Sequence, residues 1–424
     1  MNICQRLPTV SVLLLALASL AGCSTAARTP LPQPASPADD DVIIAPSPDT
    51  TPTEKIVDDP PTEIPAQLPI TRRVGTITDS ALREISGLAG STRPIETQSV
   101  QSRPVELQPG DEQRLTTHRA GQTNGTAALD TAATQPTLWA INDSGNEPLL
   151  FAVSTQGVVQ ARFRLPVTNR DWESLSAVRY AGESWLVLAD TGDNLEQHDQ
   201  YRLHFIKEPA IAQAPTGGTT SASTIPLISD IRSVVFDYAA LPSNYIATTH
   251  HNVEAMGVSA VEGLLYFVTR HATRALVFTL PLEEALNAAR TGLDISKSIT
   301  PSITARFEGE LIELKQHPVD QLAGRVVGVK LSQVTGLEFG ADGGFAYVLT
   351  YRGVYRFLLM PKSDQRWFEV PPVSVIRQTL RQSEAIAIVT STNGNTPGRG
   401  DLLFFSSEKL PAPIIRLRYV PPPG

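Results

Sequence analysis

Five copies of one short pattern constrain this chain more than any other feature. Glu84-Ile-Ser86-Gly-Leu88, Asp171-Trp-Glu173-Ser-Leu175, Asn252-Val-Glu254-Ala-Met256, Gln333-Val-Thr335-Gly-Leu337 and Gln382-Ser-Glu384-Ala-Ile386 share a register. In each, an acid or amide stands two residues before a Glu, Ser or Thr, followed by a small residue and then Leu, Met or Ile. Most copies are followed by a second apolar run that ends in polar residues, at 138–143, 185–190, 264–270, 345–350 and 402–408. A third run comes next, at 149–153, 201–206, 275–280, 354–359 and 413–419. Short strands repeated in this way predict an all-β chain, a β-propeller with five recognisable blades. A β-sandwich would show no such self-similarity.

The copies stand 87, 81, 81 and 49 residues apart, and the longer intervals leave room for a sixth, degenerate blade. Residues 90–136, poor in apolar side chains, read as a loop inserted between the first two strands of blade one. Segment 73–78 precedes the first copy without partners of its own. It is expected to supply the outer strand of the last blade, which closes the ring and removes an open edge. A short surface helix is predicted within 281–292. The four tryptophans, Trp139, Trp172, Trp185 and Trp367, read as core residues rather than sugar platforms.

Ahead of this domain the chain changes character. Residues 1–22 carry the apolar run of a secretory leader, and Leu20-Ala21-Gly22-Cys23 resembles the lipobox of bacterial lipoproteins, in which Cys23 is acylated. At about a dozen residues the run is too short to span a bilayer. Ser24, in place of Asp, favours the outer membrane by resemblance to Gram-negative sorting rules, so the expected address is the cell envelope, lipid-anchored and facing the periplasm. Cys4 lies in the leader, so lipidation would leave no cysteine for a disulfide. Residues 23–70 hold 11 of the 34 prolines and most of the acidity behind the net charge of −8. That composition predicts a disordered tether in front of a nearly neutral domain at 71–424. Nothing in 35 Lys plus Arg against 43 Asp plus Glu points to nucleic acid.

Residues two apart in a strand face one side. If the five motifs form the innermost strands, their polar pairs line the mouth of the central channel. Glu173, Glu254 and Glu384 would converge there, with Asp171 beside Glu173. The polar ends of the second strands add Asp143, Asp190, Asp193, Arg270, His271, Arg352 and Glu408, and His250 and His251 enter nearby. Clustered carboxylates raise one another's pKa or recruit a cation, and an oxygen-only set suits Ca²⁺ or Mg²⁺. The competing reading makes the same residues hydrogen-bonded clasps between blades, or partners of Arg270 and Arg352. No nucleophile elbow, zinc-protease helix, P-loop or dinucleotide fingerprint is present.

Trp139-Ala-Ile-Asn-Asp-Ser-Gly145, Asp171-Trp-Glu173, Ala189-Asp-Thr-Gly-Asp-Asn194, Val253-Glu-Ala-Met256 and Ser383-Glu-Ala-Ile-Ala387 resemble the blade motifs of uncharacterised secreted bacterial propellers. These are distantly similar to phytase-like and esterase-like propellers. The resemblance implies a propeller with Ca²⁺ as the candidate cofactor. The chain departs from it in the 90–136 insertion and in having Ser86 and Thr335 where other blades have Glu. Two functions are therefore expected: an envelope propeller that binds a ligand, metal or protein partner at the channel mouth, or a Ca²⁺-type phosphatase or esterase holding its ion on Glu173, Glu254 and Glu384.

Overall fold

A computed structural model describes residues 67–93, 136–211, 225–245, 251–270, 274–292, 301–327, 331–361, 364–390 and 401–420. The leader, Cys23, most of the tether, the bulk of the 90–136 loop, His250 and His271 lie outside the described residues. The first strand is β1 (Leu68–Ile77). Blade one follows as β2 (Ile85–Gly90), β3 (Thr137–Asn142), β4 (Leu149–Ser154) and β5 (Val159–Arg164). Blade two is β6 (Trp172–Tyr180), β7 (Glu183–Asp190), β8 (Tyr201–Lys207) and β9 (Ile231–Tyr238).

Blade three runs through β10 (Val253–Ser259), β11 (Leu264–Thr269) and β12 (Leu276–Pro281), then helix α1 (Leu282–Ala288) and the short β13 (Arg290–Thr291), to β14 (Ile303–Glu310). Helix α2 (Pro318–Val327) leads to blade four, which is β15 (Val334–Phe339), β16 (Phe345–Thr350), β17 (Gly353–Leu358) and β18 (Ser374–Arg377). Blade five is β19 (Ser383–Thr390), β20 (Asp401–Ser407) and β21 (Ala412–Val420), completed by β1. The N-terminal segment thus takes the expected closing position. It begins at Leu68, ahead of the 73–78 expectation, and pairs antiparallel along β21 up to Ile77.

The ring closes at five blades. Innermost strands β2, β6, β10, β15 and β19 each touch the next, and β19 returns to β2, which leaves no gap for a sixth. The long intervals are filled instead by the insertion after β2, by the long connection between β8 and β9, and by α1, β14 and α2. Blades two and three are also joined at their outer edges, where β14 lies parallel to β9. That pairing covers two edges that would otherwise be open.

Burial explains the arrangement. Strands β2, β10 and β15 are buried along their whole length, because each is flanked by a blade on either side. Five apolar clusters fill the five blade-to-blade interfaces. The one between blades five and one gathers Leu88, Phe151, Ala385, Phe404 and Ile77, so the closing strand is sealed by packing as well as by its ladder. Trp139, Trp172 and Trp367 are almost wholly enclosed and Trp185 is 6% exposed, as expected of core residues. The hairpin between β6 and β7 turns at Ala181 and Gly182, both at positive φ (50° and 81°), the twist that a two-residue hairpin loop requires.

Candidate functional site at the channel mouth

The repeated motif marks a bulge. In all five innermost strands the pairing register slips across one residue: between Ile85 and Gly87, Trp172 and Ser174, Val253 and Ala255, Val334 and Gly336, and Ser383 and Ala385. The skipped residues are Ser86, Glu173, Glu254, Thr335 and Glu384, the central position of each copy. A bulge leaves one residue outside the ladder and re-aims its side chain. The small residue that follows each one is there because the next blade passes close by. A Cβ on Gly87 would press on the backbone of Leu175, and one on Gly336 would meet the side chain of Ile386. Ser174 Oγ both accepts from the Met256 N–H (3.1 Å) and donates to the Met256 carbonyl (3.2 Å).

Because the second strands run antiparallel, their ends come to the same level as the bulges. Ile85 stands opposite Asn142, Trp172 opposite Asp190, Val253 opposite Thr269, Val334 opposite Thr350 and Ser383 opposite Ser407. This gathers the acids. Ligand oxygens of Asp143, Asp171 and Glu173 all lie within 4.8 Å of one another. Glu254 accepts from Arg270, which also bonds the Tyr351 hydroxyl, and Tyr351 in turn bonds Glu384. Asn252 Nδ2 donates to Glu254 at 3.2 Å. Glu408, 9% exposed, lies close enough to Glu384 for their charges to interact.

Electrostatics sets Glu173 apart. It is 7% exposed, and no hydrogen-bond donor reaches it among the described residues. Burial first, then the charges of Glu254, Asp143, Asp171 and Glu384, push its carboxyl well above the usual range. Burial raises Asp171 to about 6, although a Ser144 hydrogen bond opposes the shift. It raises Glu254 to about 7 despite Arg270, so desolvation outweighs the ion pair. Glu384 rises to about 9 through burial and the Glu408 charge. Asp143 and Glu408 are raised as well, by burial first.

Two further residues complete the cluster. Ser144 donates its backbone N–H to Asp143 (2.5 Å) and its hydroxyl bonds the Asp171 carboxylate. Gly192 lies so close that a Cβ there would overlap the carboxylates of both Asp171 and Glu173. The sequence signal for Gly192 was the Asp190-Thr-Gly-Asp193 run, where a glycine two residues past a strand end leaves room for side chains from the neighbouring strand.

Other candidates do different work. Asp190 is fully buried between Arg170 (3.6 Å) and Arg202 (3.3 Å) and accepts the Asp171 N–H (2.8 Å), so it holds the start of β6 in place. Asp193 accepts from the N–H groups of Gln197 (2.6 Å) and His198 (3.2 Å) and from Tyr201 Oη (3.1 Å), fixing the loop that carries Gly192. His251 is buried against the rings of Tyr238 and Phe278. Arg352 bonds the Leu380 carbonyl (3.1 Å) and faces a cleft on the flank of blade four. The clasp role falls largely to hydroxyls: Thr335 Oγ1 donates to the Ser383 carbonyl (2.7 Å) and Thr191 Oγ1 to that of Val253 (2.9 Å).

Below the mouth the channel is bridged. Ser176 of blade two donates to Glu338 of blade four at 3.2 Å, and both are buried. Burial pushes Glu338 well above the usual carboxylate range. The Ser176–Glu338 bond links the inner strands of two non-adjacent blades beneath the acids. The donor set of the mouth fits a hard cation. Two oxygens each about 2.4 Å from a Ca²⁺ ion lie at most about 4.8 Å apart, and the Asp143, Asp171 and Glu173 oxygens satisfy that limit. Such an ion would supply the partner that Glu173 lacks among the described residues.

No family model matches the sequence, and no curated protein matches it. Among solved structures, a luciferin-regenerating enzyme aligns over 82% of this chain and 95% of its own, with 9% identity and a TM-score of 0.35. A candidate 6-phosphogluconolactonase from Bacteroides uniformis aligns over 68% of this chain and 66% of its own, with 14% identity and a TM-score of 0.31. Both likenesses are too distant to bear on activity. Fold and site together define a five-bladed β-propeller with an acidic channel mouth.

Proposed function

We propose that this chain is a lipid-anchored cell-envelope propeller that holds a divalent cation of the Ca²⁺ class at its channel mouth and binds a ligand or protein partner there. The observation that carries this reading is Glu173: a buried carboxylate with no hydrogen-bond donor among the described residues, close to the charges of four other acids. An uncompensated buried charge costs several kcal/mol, and a cation shared with Asp143 and Asp171 would offset it. When bound, the ion offers a positive centre to an oxygen of the ligand. The protein's own groups then orient that ligand, with Asn252 and Arg270 of blade three and Tyr351 of blade four beside the cluster. The anchor rests on Leu20-Ala21-Gly22-Cys23, and Ser24 after the cysteine supports the outer membrane.

Calcium titration of the full chain, followed by calorimetry and thermal melting, tests the reading. At a hundredfold excess over Kd, binding adds about 2.7 kcal/mol of stability and raises Tm. Glu173→Gln and Gly192→Ala should each remove that rise, the second because its methyl occupies the space of the carboxylates. A melting curve indifferent to Ca²⁺, Mg²⁺ and EDTA in the unmodified chain would sink the cation site. The anchor is tested separately: Cys23→Ser should abolish incorporation of labelled fatty acid.

A further inference from the structure

The flank of blade four carries a second feature, distinct from the mouth. A cleft of about 320 Å³ opens between α2 and the strands β17 and β18, and its lining includes Lys315, His317, Arg352, Arg377, Tyr355 and Val375. Its charge is positive. Asp320 is already held by a two-pronged bond from Arg377 (2.6 and 2.8 Å). Lys315 and Arg352 have no ion-pair partner among the described residues; Arg352 gives one nitrogen to the Leu380 carbonyl. His317 Nδ1 accepts the Val319 N–H at 3.3 Å. In a chain of net charge −8 with an acidic mouth, a basic cleft stands out.

Beside it lies exposed apolar surface. Val319, Leu322 and Val326 are 57%, 64% and 79% exposed. At spacings of three and four residues they form one stripe along α2. Val375, 50% exposed, extends that surface to the rim of the cleft. The opposite face of the helix is pinned by Asp320 to Arg377 of β18, so the stripe is presented on a fixed support. Free cations beside an apolar helical stripe match an anionic lipid surface, where headgroup phosphates lie next to acyl chains.

We propose that this flank docks on an anionic phospholipid surface, with α2 lying in the interface and a lipid phosphate held in the cleft by Lys315 and Arg352. The inference does not depend on the cation at the mouth. It is also separable from the anchor, because a tether of some forty residues lets an anchored domain stand clear of the bilayer unless α2 itself engages.

The test uses the full chain with Cys4→Ser and Cys23→Ser, so that Leu322→Cys is the one thiol and takes an environment-sensitive fluorophore. Vesicles are phosphatidylcholine with or without phosphatidylglycerol. Docking predicts a blue shift at position 322 only when phosphatidylglycerol is present. Lys315→Glu, an exposed position with no ion-pair partner among the described residues, should weaken the response about tenfold without changing the melting temperature. A fluorophore at Leu195→Cys, 75% exposed on a loop at the mouth, should stay in water. The proposal is overturned if position 322 reports water throughout, if 195 shifts equally, or if the response ignores phosphatidylglycerol. It is also overturned if millimolar inorganic phosphate abolishes the response, since the cleft would then be a site for soluble anions.

Discussion

A single imidazole shows how burial sets the pH behaviour of one residue. His204 in β8 is fully enclosed, with Nδ1 2.8 Å from Ser233 Oγ, and burial, aided by the nearby Arg202 and Arg170 charges, lowers its pKa to about 4. The unfolded chain takes up this proton near pH 6.5, the folded chain only near 4. Stability contributed by the neutral ring is therefore present above pH 6.5 and is lost as pH falls through that window, by up to about 3 kcal/mol. The raised carboxylates at the mouth act in the opposite sense, losing stability as pH rises. The comparison must therefore be between the chain and its His204→Gln variant, by denaturant unfolding at pH 7 and pH 4.5. The variant should show the smaller acid loss; an equal loss would refute the assignment. Nothing in the sequence around His204 separated it from the other six histidines of the chain, because its enclosure comes from residues of β7 and β9 that meet it only in the fold.

Among the elements, the innermost strand with its bulge is the repeating unit of both fold and site. Two-residue alternation was enough to place Glu173, Glu254 and Glu384 on the channel and to pair Asp171 with Glu173. It did not anticipate the bulge, although the small residue after each central position was its signature. Where that central residue is Thr335, its hydroxyl clasps blade four to blade five through the Ser383 carbonyl. Thr335→Val keeps the shape and removes the donor, leaving a buried carbonyl short of its partner. The expected loss is about 1–3 kcal/mol in denaturant unfolding, with Ca²⁺ binding unchanged. A neutral result would show that the interface is held by packing alone. Helix α2 and the outer strands β5, β9, β14 and β18 had not been singled out in the sequence. Outer strands are half solvated, as in the mixed exposure of β5 and β14, so their apolar pattern is weak. Arg352 was drawn to the mouth by its place after β16, whereas β17 and Leu380 turn it towards the blade-four cleft.

For the whole molecule, closure is the decisive interaction. Strand β1 pairs with β21 along nearly its full length and buries Ile77 against the interface between blades five and one. Replacing residues 68–77 by a Gly/Ser linker in the full chain would open that edge and empty the Ile77 site. Stability should fall by at least about 3 kcal/mol, and the exposed β21 should promote self-association, read by melting and by size-exclusion chromatography. A variant that melts normally as a monomer would contradict the closing role. Local pattern alone determined the propeller class, the five inner strands, the buried tryptophans and the side of the disc on which acids collect, because strand alternation and repeats are properties of neighbouring residues. Only the tertiary structure decided the blade count, the buried Ser176–Glu338 bond across the channel, and which acids share a site. Those depend on distances between residues far apart in the chain, which ring closure fixes and no local pattern carries.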